Sequence, residues 1–166
     1  MTRKTWHRIA SALAAAGLSA SLAGPALAQT AAHSHDAAAS HKLSLNQGHK
    51  WASDEPLRKG MDRIRAVVAP RLKEAHAGKL TTQQYRELAT QVETEVASIV
   101  ATCKLEPKAD AMLHLVIADL GEGTDEMAGK NAKRSPAQGL VKVALAVNQY
   151  GKHFEHPGFK PIPNLH

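Results

Sequence analysis

From Ser53 onward the apolar positions recur at helical spacing. Leu57, Met61, Ile64, Val68, Leu72 and Ala75 follow one another at intervals of 4, 3, 4, 4 and 3, which is one stripe of an amphipathic helix. Ser53 or Asp54 can cap its start, Glu55 places negative charge in the first turn, and Pro56 fits there. Pro70 predicts a kink, and Ala77-Gly78-Lys79 predicts the end. Thr81 or Thr82 caps a second helix with the stripe Tyr85, Leu88, Val92, Val96, Ile99 and Cys103. A third begins at Pro107 and carries Leu113, Val116, Ile117, Leu120, Thr124 and Met127 on one face. Gly121 and Gly123 either end that helix early or allow a close helix contact. After a basic polar loop, Pro136 opens a fourth helix whose stripe is Leu140, Val143, Ala144, Val147, Tyr150 and Phe154. The proline-rich segment after His156 cannot continue it.

Four helices of about 20 residues joined by short connections predict an all-α fold, an up-down-up-down four-helix bundle. The predicted bundle spans residues 53–156, long enough to bury a core as one domain, with a C-terminal tail at 157–166. No alternation of the strand type opposes this.

The first 52 residues read differently. Arg3, Lys4 and Arg8 precede an Ala- and Leu-rich run from Ile9 to Leu22, and Ala26-Leu27-Ala28 has the small-x-small form of a cleavage site. Residues 1–28 are therefore expected to be a cleaved signal peptide, too short and small-sided for a membrane anchor, which places the mature protein in a bacterial periplasm with no membrane association. Residues 29–52 read as a disordered, flexible linker containing His33, His35 and His41. The leader carries three basic residues and no acidic one, so the formal charge falls from +6 to +3, with 18 basic against 15 acidic residues. Little basicity is left to support nucleic-acid binding, and no basic stripe interleaves with aromatics.

Candidate chemistry gathers where the first helix begins. Helix direction alternates, so Cys103 at the end of the second helix, His114 two turns into the third and His153 at the end of the fourth fall toward one end. Met61 lies about 10 Å inside the first helix at 1.5 Å per residue. His49, beside Trp51, and His156 flank the same opening. Cysteine, methionine and histidine are soft or borderline ligands that suit copper. Each also has an ordinary reading: Met61 and Cys103 follow core stripes, and His153 sits at a rim. A single cysteine permits no internal disulfide and no Cys-x-x-Cys site. Beside His114 it also lacks an orienting partner and oxyanion donors, so the chain reads as a non-enzyme.

With Leu57-Arg-Lys-Gly-Met61 in the first helix and Tyr150-Gly-Lys-His153-Phe154 ending the last, the chain resembles the soluble periplasmic four-helix-bundle cytochromes of the b type and their c-prime relatives. The resemblance implies Met61 and His153 as axial ligands of haem b. The c-prime hallmark Cys-x-x-Cys-His is missing, and Cys103 and His114 have no role in the b-type pattern. The expectation is thus a periplasmic copper-binding protein for metal buffering, storage or delivery, with a metal-handling protein as partner. A haem-b electron carrier and a metal-free interaction module of a periplasmic complex are the alternatives.

Overall fold

The structure, a computed structural model, describes residues 42–165. The expected signal peptide and His33, His35 and His41 of the expected linker lie outside the described residues. Among the described residues the protein is all-helical, in five α-helices: α1 (Glu55–Val68), α2 (Leu72–His76), α3 (Thr82–Thr102), α4 (Pro107–Met127) and α5 (Pro136–His153). A 3-10 turn at Ala69–Arg71 holds Pro70 and joins α1 to α2, so the predicted kink is a short break after which the stripe resumes.

The helix starts follow local chemistry. Asp54 accepts from the Leu57 amide at 2.9 Å and caps α1. Thr81 with Gln84 and Ser135 with Gln138 form reciprocal capping boxes at α3 and α5. Pro107 and Pro136 occupy first-turn positions, where their missing N–H costs nothing.

Successive long helices pack as antiparallel neighbours, α1 on α3, α3 on α4, α4 on α5, and α5 back on α1. Arg63 of α1 pairs with Glu95 of α3 at 2.6 Å, and Gly60 lies against Ile99. The predicted stripes face inward: Leu57, Met61, Ile64, Val68, Val92, Ile99, Val116, Leu120, Leu140 and Val147 are all buried. Gly121 and Gly123 do not end α4. A Cβ on Gly123 would sit 3.0 Å from the Gly139 oxygen, and one on Gly139 would sit 2.6 Å from the Gly123 oxygen. Bare backbone thus meets bare backbone where α4 crosses α5.

Two flanking segments complete the domain. Residues 43–52, read as the end of the linker, pack on the bundle. Asn46 and His49 exchange backbone hydrogen bonds around Gln47 and Gly48, both at positive φ, the two-residue turn that a glycine-containing pair favours. Trp51 then pairs with the α5 exit: its N–H donates to the His153 oxygen, and its oxygen accepts from the Glu155 N–H. After Phe154 the chain turns through Pro157-Gly158, with Gly158 at φ +80° and the Phe159 N–H donating to the His156 oxygen. This is the type II turn that a Pro-Gly pair encodes. The tail therefore returns along α5 and is not a free end.

Candidate functional sites at the rim and the seam

Asp54 organises the rim. One carboxylate oxygen caps α1, and the other accepts from the Lys104 N–H at 2.6 Å, tying the α3–α4 turn to the start of α1. Cys103 is the C-cap of α3, its own N–H bonded to the Ile99 oxygen, and it is half-buried. Burial, then the carboxylates of Asp54 and Asp110, push the thiol's pKa up from its ordinary value. These surroundings favour the thiol over the thiolate, which is the reactive form.

The histidines expected at this end divide into two kinds. His114 is exposed, and its Nδ1 lies 2.9 Å from the Asp110 oxygen one turn back and 3.4 Å from the Asp110 carboxylate. His153 is half-buried, with Nδ1 2.8 Å from the Gln149 oxygen. A carbonyl can only accept, so Nδ1 carries the proton in the neutral ring and Nε2 holds the free lone pair. His49 is exposed on the Asn46–His49 turn.

His156 differs. Its side chain is 7% exposed, with Nε2 3.3 Å from the Asp62 carboxylate and Nδ1 3.0 Å from the Tyr150 hydroxyl. A carboxylate can only accept, so in the neutral ring Nε2–H donates to Asp62 and Nδ1 accepts from the Tyr150 hydroxyl. Tyr150 stacks on Phe154 with centroids 5.4 Å apart and meets Phe159 edge-on at 5.7 Å. The result is a seam joining α1, α5 and the tail. Ser53 and Arg58 extend it, Ser53 donating to the Glu155 oxygen and Arg58 to the Ser53 oxygen. A cleft of about 520 Å³ lined by Arg58, Lys59, Asp62 and His156 opens beside it.

Met61 is wholly buried in the core. Neither Met61 nor His153 lines this cleft. Met61 of the expected haem pair is thus a core side chain, whereas His153 is half-buried at the end of α5. Among the described residues no three His, Cys, Asp or Glu side chains converge into a metal cage.

Sequence reasoning missed Asp62, an unremarkable acidic residue on the polar face of α1, and it placed Tyr150 only as core. Their link to His156 needs the chain reversal at Pro157-Gly158, and no spacing rule along a helix brings residues 62, 150 and 156 together. Met112 was also missed: with Ser44, Trp51 and Lys108 it lines a second cleft of about 360 Å³ at the same end. No protein-family model, curated protein or solved structure matches this chain.

Proposed function

We propose that the protein is a non-enzymatic metal binder, acting on copper in a periplasmic setting, whose capture groups are the rim imidazoles of His114, His153 and His49. One observation carries this reading. His114 and His153 each direct Nδ1 to the carbonyl one turn back, which leaves Nε2 as the available donor atom. Metal-ligating histidines have this arrangement, the second ring nitrogen fixing the tautomer and orientation of the first. Cys103 is a reserve ligand, since a bound cation would have to displace its proton against the raised pKa. Met61 and His156 drop out of the ligand set, Met61 as a core side chain and His156 because both its nitrogens are engaged.

Donors that are not gathered into a cage bind weakly, because the protein must reorganise to bring them together. Weak, exchangeable binding suits buffering or hand-over to a metal-handling partner better than long storage. The test is a competition titration of the mature protein with Cu(I) and Cu(II). His114→Ala with His153→Ala should weaken binding by about 10-fold or more, the scale on which loss of metal-site groups is felt. His156→Gln should leave it unchanged. Unchanged affinity in the rim double variant would overturn the assignment.

A further inference from the structure

The seam where α5 meets the tail has the features of a peptide-docking groove. Asn148 of α5 reads the backbone of Ile162 in both directions: its Nδ2 donates to the Ile162 oxygen at 2.8 Å, and its Oδ1 accepts from the Ile162 N–H at 2.7 Å. Arg65 of α1 donates to the Lys160 oxygen at 2.5 Å. Two side-chain sockets flank these contacts. The Phe159 ring lies over Gly151, where a Cβ would come within 2.0 Å of it, and Ile162 is only 3% exposed. The bound segment thus supplies main-chain groups outside any helix and two apolar anchors three residues apart, a mode in which main-chain bonds give affinity and pockets give selectivity.

We propose that this groove accepts the same tail from a second copy of the chain, so that two protomers can exchange their residues 157–165 reciprocally. The single device that keeps the tail in its own groove is the Pro157-Gly158 turn, which needs φ +80° at Gly158. The contacts that Phe159, Lys160 and Ile162 make with α1 and α5 lie beyond the turn and use groups that a partner's tail presents equally well. Exchange of an identical element costs little once the hinge opens, because every contact is remade. In the wild-type chain the short turn gives the tail an effective concentration on the order of mM, so self-docking dominates below that. The proposal is independent of the metal reading, since neither His114 nor His153 takes part in these tail contacts.

The experiment is to open the hinge. Proline fixes φ near −65°, so Gly158→Pro forbids the turn and drives the tail outward. Light scattering on the full chain should then give twice the monomer mass, and adding Ile162→Asp should return it to monomer. A Gly158→Pro chain that keeps its helical circular dichroism and remains monomeric at about 1 mM, the effective concentration of the tethered tail, would overturn the proposal. A second arm does not depend on that variant's folding. A labelled peptide of residues 156–165 is titrated into full-length Ile162→Asp protein, whose own anchor is disabled. Binding at least about 10-fold tighter than to wild type is expected, because the competing tail no longer fills the groove, with the gain lost when Asn148→Ala is added. No binding to the Ile162→Asp chain, or binding indifferent to Asn148→Ala, would equally overturn it.

Discussion

His114 and His156 lie in helical-bundle surroundings of opposite character. His114 is 63% exposed at the side chain, ties up one nitrogen within its own helix turn and leaves the other open. His156 is nearly enclosed, with both nitrogens spent on residues from two other elements. The same side chain thus serves as an available donor in one place and as a fastening in the other. What separates them is where the second nitrogen goes. A local carbonyl leaves the ring free to act outward, whereas a carboxylate from α1 and a phenol from α5 make it part of the fold. Residue type alone would put both in one ligand list.

The sharpest way to break the contrast is at Tyr150, which belongs wholly to the seam. Tyr150→Ala should destabilise the protein by about 3–5 kcal/mol in urea unfolding, the range for removing a fully buried aromatic, while leaving the rim donors in place. A loss within 1 kcal/mol would mean that the seam is decorative. At Asp54 the two regions touch, and Asp54→Ala should cost about 1–2 kcal/mol for the lost cap, with the Lys104 tie lost as well. His114→Ala should then change stability by less than about 0.5 kcal/mol, as for a surface substitution. A cost comparable to the seam variants would show that His114 is structural and would undo the distinction.

Two pH experiments sharpen the same contrast with smaller effects. The folded-state pKa of Tyr150 is raised by burial, so the folded protein holds a proton that the unfolded chain releases. That stabilisation is fully present below the unfolded tyrosine value of about 10 and is lost as pH rises through the folded one. Urea midpoints should therefore fall above about pH 10, and Tyr150→Phe should flatten the fall, with Tyr85, also raised by burial, leaving a remainder. If Tyr150→Phe follows the wild-type curve, the phenol does not ionise on unfolding in the way described. At the rim, Cys103 should react with iodoacetamide along a pH curve displaced upward from that of a free thiol. Asp54→Asn should move the curve partly back, and an unshifted wild-type curve would contradict the placement of the thiol beside those carboxylates.

The helices were legible because each depends on neighbours in sequence. Asp54 before Glu55-Pro56, Thr81 three residues before Gln84 and Pro136 after Ser135 are local signals, and the stripes report burial directly through a period of 3.6. Cys103 reads as the last position of the inward stripe, whereas as the C-cap of α3 it is half-buried. The seam was illegible for the opposite reason. Asp62, Tyr150 and His156 meet only after the tail reverses, and the tail's prolines read simply as an end to helix. The Gly123–Gly139 crossing stood between: one glycine hinted at close contact, but its partner 16 residues on could not be named without the packing.

The pairing of Asn148 with Ile162 sets an alignment that the tail cannot easily lose. An amide side chain that takes one N–H and gives one to the adjoining carbonyl has no preference among residues, so a tail held this way could slide by one position. Here the neighbours on either side are Pro161 and Pro163. Neither has an N–H to offer, so a slip in either direction presents Asn148 with a residue that can satisfy only half of it. The sequence Pro-Ile-Pro therefore works as a notch with a stop on each side, and the prolines fix the register by what they lack.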